Sequence, residues 1–152
     1  MSTSKETLRC IRYRGGYKYQ LRGHHVDSVA IQPDEPISTE YGSLTLEGTL
    51  TIRNGYAWDG PSGPSRDTPS FMRGSLVHDA LYQLMRLEAI DAKRWRDTAD
   101  RELQRMCRED GMWRIRAWWV YHAVRLFGEP ATAPEASKPI EVAPKACHSP
   151  QS

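Results

Sequence analysis

The sequence lacks the cysteine pattern that a disulfide framework requires. Its three cysteines, Cys10, Cys107 and Cys147, form no CxxC pair, and their number is odd. We therefore expect a protein of a reducing compartment. The first ten residues, MSTSKETLRC, contain no apolar run, which predicts that no secretory signal is present. No apolar run in the chain approaches the length of a transmembrane helix, so none is expected.

A strong net charge is also missing. Lysine and arginine number 21 against 19 aspartate and glutamate residues, giving a formal charge of +2. That charge is too small to predict nucleic-acid binding, and no nucleic-acid partner is expected. The hydrophobic content of 39%, with five Trp and seven Tyr in 152 residues, is enough for the core of one domain of ordinary size.

The first 57 residues have the composition of short β-strands. Stretches rich in Val, Ile, Tyr and Thr lie between Gly and Pro turns at Leu8–Tyr13, Tyr17–Leu21, Val26–Ile31 and Leu44–Ile52. The segment SLTLEGTLTI alternates apolar and polar residues, which predicts a hairpin or bulged strand with one buried face. Tyr56–Phe71, which contains three Pro and two Gly, is predicted to be a loop.

Beyond the loop the apolar residues follow a helical period. This spacing predicts three α-helices, at about 73–87, 92–109 and 113–127. The expected fold class is α+β, with an N-terminal antiparallel sheet, a Pro/Gly loop and three helices. We expect one domain over residues 1–128, in which a strand-rich segment, 1–57, is followed by a loop with a helical core, 58–128. The Pro- and Ala-rich residues 129–152 are predicted to be a disordered tail.

The third predicted helix carries an unusual number of aromatic residues, and two interpretations remain open. Trp113, Trp118, Trp119 and Tyr121 are expected first of all to pack in the core. With the neighbouring arginines, Trp113 and some of these residues could instead meet a lipid interface.

Residues that can carry chemistry cluster on the first two helices. His78 and Tyr82 are four residues apart and so share a helix face, and Asp79 lies beside them. If the two helices pair antiparallel, Asp100 returns to the level of His78. A carboxylate there would hold one imidazole nitrogen and leave the other to accept a proton from water.

A cation site can be formed just ahead of this helix. The loop bears Asp59 and the helix bears Asp79, and calcium prefers carboxylate and carbonyl oxygens. Structural interpretations stay open, with Asp59 bonding its own loop and His78 forming a satisfied core pair with Asp100. His24, His25 and His122 have no partners at ligand spacing, so zinc is not predicted.

Four segments in the same order resemble the phospholipases A2, especially the small secreted bacterial and fungal type. HDALY resembles their His-Asp-x-x-Tyr helix, and WDGPSGP resembles their calcium loop. RDTADREL places Asp100 where that family has a second, His-orienting Asp, and AWWVYHAVRLFG resembles their closing helix. The resemblance covers residues 56 to 128.

The resemblance implies a function and a role for each matching residue. His78 becomes a general base, Asp100 its partner, and Tyr82 a support for Asp100. Asp59, Asp79 and the Gly60 carbonyl become calcium ligands. The implied activity is calcium-dependent hydrolysis of a phospholipid acyl ester, with a phospholipid or membrane surface as partner.

The chain also departs from that family. The secreted enzymes have disulfides beside the loop and the catalytic helix, where this chain has no cysteine, and its first 55 residues have no counterpart in them. The whole chain resembles more closely uncharacterised proteins of phages and prophages, which implies a location in the host cytoplasm or the virion. Alternatives are a non-catalytic structural or accessory protein of a phage particle, and a hydrolase of another ester or amide.

Overall fold

The computed structural model describes residues 11–13, 19–60, 68–136 and 141–143. The chain forms two compact units, one comprising Tyr17–Ser137 and the other comprising Met1–Gly16 with Lys138–Ser152. The predicted domain boundary at residue 128 stays a prediction. The described elements are antiparallel sheets and three α-helices, so the α+β class is confirmed.

Seven of the described strands precede the helices and one follows them. In chain order they are β1 (Ile11–Tyr13), β2 (Tyr19–Gln20), β3 (His25–Ser28), β4 (Ile37–Ser38), β5 (Gly42–Leu44), β6 (Thr49–Ile52), β7 (Ala57–Trp58) and β8 (Glu141–Ala143). In the larger unit, four strands form an antiparallel sheet in the order β3-β6-β5-β4, and β2 pairs with β7. In the smaller unit β1 pairs with β8.

The predicted hairpin is present as β5 and β6. Leu44 lies opposite Leu50, and both are buried together with Ile52, so one face of the hairpin joins the core. Leu46 differs from the alternating pattern because it lies in the connection and is 46% exposed. The loop prediction for Tyr56–Phe71 is wrong at both ends, because β7 begins at Ala57 and a helix begins at Pro69. Residues 61–67 lie outside the described residues.

The helices are α1 (Pro69–Arg86), α2 (Ala92–Glu109) and α3 (Arg114–Phe127). The first starts four residues before the predicted position, since Pro69 occupies a first-turn position where its missing N–H costs no hydrogen bond. The bounds of α2 match the prediction, and the side chain of Asp91 accepts a hydrogen bond from the amide of Lys93 at its start.

The first two helices form an antiparallel pair whose apolar faces make the centre of the core. Arg73, near the start of α1, binds Glu109 and Asp110 at the end of α2, at 2.8 and 3.0 Å. The same guanidinium donates to Asp27 on β3 at 2.8 Å and so also ties the sheet to the helices. The stripe that predicted α1 is buried throughout: Leu76, Val77, Ala80, Leu81, Leu84 and Met85.

The core interpretation of the aromatic residues near α3 is wrong for its tryptophans. Trp113, Trp118 and Trp119 are 81%, 48% and 63% exposed, and within α3 only Ala117 and Val120 are buried. The helix packs against α2 through its small residues, and this leaves the large ones on the outside.

Residues that follow α3 are ordered as well. Short 3-10 turns occupy Glu129–Thr132 and Pro134–Ala136, with Thr132 buried. Arg86 of α1 donates to the carbonyl oxygen of Ala131 at 2.9 Å. These turns and β8 lie within residues 129–152, for which a disordered tail is predicted.

Replacing Gly42 by Ala is expected to destabilise the hairpin. A Cβ atom at this position would overlap the carbonyl oxygen of Thr51 on β6, which is backbone and cannot move without breaking the strand pairing. We expect a loss of about 1–3 kcal/mol in the free energy of unfolding, measured by urea denaturation. Ser43→Ala in the same strand is the control, and equal stability of the two variants would contradict the tight approach of β5 and β6.

Candidate functional site

The predicted contact between His78 and Asp100 is present. Nε2 of His78 on α1 lies 2.7 Å from Oδ1 of Asp100 on α2. The histidine side chain is 12% exposed, and that of the aspartate is fully buried. As a carboxylate, Asp100 only accepts hydrogen bonds, so Nε2 of a neutral His78 donates to it. The lone pair on Nδ1 is then left available to accept a proton.

Tyr82 supports the same carboxylate, as predicted. Its hydroxyl donates to Oδ1 of Asp100 at 2.5 Å, and its ring lies 4.0 Å from the imidazole of His78 between centroids. Burial and the hydrogen bond to Asp100 raise the pKa of Tyr82 above its ordinary value, so the hydroxyl keeps its proton and remains a donor. The four-residue spacing on α1 places both side chains on one oxygen.

Two arginines complete the surroundings of Asp100, and the sequence interpretation missed both. Nη1 of Arg125 on α3 donates to Oδ2 at 3.0 Å, and Nε of Arg96 lies 4.0 Å from the same oxygen. Arg96 also donates to the carbonyl oxygens of Val124 and Arg125, at 2.8 and 2.6 Å, near the end of α3. Its i,i+4 spacing from Asp100 was a usable signal, whereas nothing local connects Arg125 to Asp100.

Asp79, predicted as a metal ligand, is in contact with two other side chains of the protein. The hydroxyl of Tyr56 donates to its Oδ2 at 2.5 Å, and Nη2 of Arg86 lies 3.9 Å from its Oδ1. Although the side chain is 34% exposed, the loss of water around the carboxylate raises the pKa of Asp79, while Tyr56 and Arg86 act in the opposite direction. Neither partner was predicted from the sequence.

Asp59 is carried towards α1 by β7. The indole of Trp58 donates to the hydroxyl of Ser75 at 3.2 Å, which anchors the strand one turn before His78. The pKa of Asp79 is raised mainly by the loss of water around its carboxylate, and the charge of Asp59 adds a smaller contribution in the same direction. Gly60 has a φ of +75°, and a Cβ atom there would meet the ring of Tyr19, so only glycine fits this turn.

The donors here suit a hard cation in kind but are few in number. Asp59, Asp79 and the Gly60 carbonyl offer only oxygens, which are the ligands that calcium prefers. Among the described residues no group of three His, Cys, Asp or Glu side chains could hold a metal ion. Further carbonyls and water would have to complete the coordination, and the convergence of the three predicted ligands stays a prediction.

Comparisons with known proteins identify no relative of this chain. No protein-family model, no curated protein and no solved structure matches the chain. Among the described residues, no helix combines the length and the apolar character needed to cross a bilayer.

Arg125→Gln is expected to destabilise the larger unit, because Oδ2 of the buried Asp100 loses its hydrogen-bond donor. The expected loss is about 1–3 kcal/mol in the free energy of unfolding, measured by urea denaturation. Arg114→Gln on the same helix is the control, since Arg114 is exposed and forms no ion pair within the described residues. Arg125→Lys should recover some of the loss, and wild-type stability of Arg125→Gln would contradict the importance of this contact.

Proposed function

We propose that this protein hydrolyses an acyl ester of phospholipids in a calcium-dependent reaction, with His78 as general base and Asp100 as its orienting partner. One observation carries the proposal. Nε2 of His78 lies 2.7 Å from a fully buried carboxylate, an arrangement that holds the imidazole in the tautomer suited to accept a proton. The resemblance of residues 56–128 to phospholipases A2 supplies the substrate class.

In this mechanism His78 accepts one proton from water and later donates it to the leaving alcohol oxygen. Nδ1 of His78 takes a proton from a water molecule as the water oxygen attacks the ester carbonyl. The imidazolium is stabilised by Asp100, which Tyr82 and Arg125 hold in place. Collapse of the tetrahedral intermediate breaks the bond to the alcohol oxygen. That oxygen receives the proton from His78, so the products are a fatty acid and a lysophospholipid.

The calcium ion, where bound, would be held by Asp59, Asp79 and the Gly60 carbonyl. Its chemistry is the polarisation of an ester carbonyl and the stabilisation of negative charge on oxygen. Tyr56 keeps one oxygen of Asp79 fixed by its 2.5 Å hydrogen bond, which orients the other oxygen. The whole-chain resemblance to phage and prophage proteins supports a place in the host cytoplasm or the virion, with a bacterial membrane as target.

A second function is favoured by a specific observation. Two of the three carboxylates of the site have cationic neighbours, Arg125 and Arg96 at Asp100 and Arg86 at Asp79. Such internal pairing needs no substrate or metal. It supports a non-catalytic structural or accessory component of a phage particle in which the His78–Asp100 pair serves stability alone.

His78→Asn distinguishes the two functions. If His78 is the base, the variant should lose about 100- to 10,000-fold in rate of fatty-acid release from phospholipid vesicles with calcium, because Asn cannot accept the proton. Its melting temperature should stay close to that of the wild type, and Asp100→Asn should reduce the rate less.

His24→Asn is the matched control, since His24 is exposed and lies outside the site. If purified wild-type protein releases no fatty acid from any vesicle tested, the enzyme proposal fails. The structural function then takes its place.

The charge of Asp79 is expected to affect the melting temperature, both without calcium and with it. Because the pKa of Asp79 is raised, the folded state favours its protonated form, and stability from this group is lost as pH rises through that pKa. Asp79→Asn, which mimics the neutral form, should therefore melt at or above the wild-type temperature in calcium-free buffer at neutral pH.

Adding calcium should raise the melting temperature of the wild type and leave Asp79→Asn unchanged, since an ion that binds only the folded state stabilises it. Differential scanning calorimetry measures both. An equal calcium response in the two proteins would exclude Asp79 as a ligand.

A further inference from the structure

Exposed large hydrophobic side chains are concentrated in one short segment. Nine such residues occur among the described residues, and six of them lie between residues 113 and 127. They are Trp113, Ile115, Trp118, Trp119, Leu126 and Phe127, with exposures from 48% to 81%. A concentration of this kind marks a surface that meets an apolar partner.

Three of these residues form a stripe on the outer side of α3. Ile115, Trp119 and Leu126 are spaced by four and seven residues, so they lie on one face of the helix. The buried residues Ala117 and Val120 lie on the opposite side, towards α2. The stripe is about 16 Å long at the usual rise of an α-helix. We call this stripe the outer face of α3; Trp118 lies beside it, and Trp113 and Phe127 lie at the two ends of the helix.

The charge beside the outer face is positive. A groove of about 560 Å³ between α2 and α3 is lined by four arginines and no carboxylate: Arg101, Gln104, Arg105, Arg108, Arg114, Ile115, Trp118 and Trp119. Arg101 and Arg105 are already paired with Asp97, Glu102 and Glu109. Arg108 donates to the carbonyl oxygen of Met112 at 2.7 Å. Neither Arg108 nor Arg114 forms an ion pair within the described residues, so their charges can attract an anionic partner.

The tryptophans favour a partner whose surface changes from apolar to polar over a few ångströms. Within the described residues, the indole N–H groups of Trp113, Trp118 and Trp119 donate no hydrogen bond. Indole rings favour the boundary between acyl chains and head groups, where the ring is buried and the N–H remains solvated. Arginine adds attraction to phosphate head groups.

Other occupants fit less well. A two-fold symmetric contact with a second copy would place Arg108 and Arg114 of both copies in one interface, where the lining of this groove offers no carboxylate to pair with them. Single-stranded nucleic acid would stack on the tryptophans but would find no use for Ile115 or Leu126.

We propose that the outer face of α3, with Arg108 and Arg114 beside it, binds the surface of an anionic phospholipid bilayer. The helix lies in the plane of the head groups with Ile115, Trp119 and Leu126 directed at the acyl chains. Hydrolysis is not needed for this binding, because Ile115, Trp119 and Leu126 lie about 100° round α3 from Arg125, the residue that contacts Asp100.

Vesicle co-sedimentation in buffer with a calcium chelator tests the proposal. The wild type should bind vesicles that contain phosphatidylglycerol more tightly than vesicles of phosphatidylcholine alone, and added salt should weaken the difference. Ile115→Ser with Trp119→Ser should reduce the affinity about tenfold or more. The control pair is Val26→Ser with Leu46→Ser, which are exposed hydrophobic residues of the strand-rich region.

The charge contribution is tested separately. Arg108→Gln with Arg114→Gln should weaken binding to phosphatidylglycerol vesicles by about fivefold for each arginine and leave binding to phosphatidylcholine nearly unchanged. The control is Arg22→Gln with Arg53→Gln, because both arginines are exposed and lie in the strand-rich region. Each variant is used only if its melting temperature matches that of the wild type.

Three results would overturn the proposal. One is failure of the wild type to bind phosphatidylglycerol vesicles. Another is a dimer, measured by light scattering, that the Ile115 and Trp119 substitutions dissociate. The third is binding to single-stranded DNA that exceeds binding to the vesicles. His78→Asn should bind vesicles like the wild type, so loss of hydrolysis and loss of membrane binding are distinguishable.

Discussion

The burial of one carboxylate organises the helical region of this protein. Asp100 is fully buried, and a buried charge without partners would strongly destabilise the folded state. Its partners come from all three helices: His78 and Tyr82 on α1, Arg96 on α2 and Arg125 on α3. Because each partner has to reach the same carboxylate, the helices can pack in few arrangements other than the one observed.

The same contacts serve stability and proton transfer. The bond that compensates Asp100 also selects the proton position on His78 and so determines which imidazole nitrogen is left as a base. A His78–Asp100 pair that serves catalysis and one that serves only stability would therefore make the same hydrogen bond at Nε2. They differ at Nδ1 and at Asp79, where a water, a substrate or a cation would have to bind.

The sheet contributes to the site by bringing β7 and its following turn to α1. The indole of Trp58 donates to Ser75 and the hydroxyl of Tyr56 donates to Asp79, so two side chains of this short segment are both bound to α1. Gly60 then turns the chain at a position where Tyr19 of the paired strand leaves no room for a side chain. The loop that carries Asp59 is thus positioned from its N-terminal side by strand pairing.

What the sequence by itself determined is the set of residues that share one face of one element. The periodicity of α1 and α2 predicted their buried stripes, and the antiparallel pairing across a short link predicted that Asp100 would reach His78. The alternation in β5 and β6 predicted the hairpin. These are short-range consequences of helical and strand geometry.

Only the tertiary structure decided which apolar faces were covered and which distant side chains met. Helix α3 has apolar residues on both sides, so its pattern could not reveal that Ala117 and Val120 would face α2 and leave three tryptophans at the surface. The contacts of Arg125 with Asp100 and of Tyr56 with Asp79 join residues 25 and 23 positions apart. No local spacing encodes such contacts, because they depend on the relative placement of whole helices and strands.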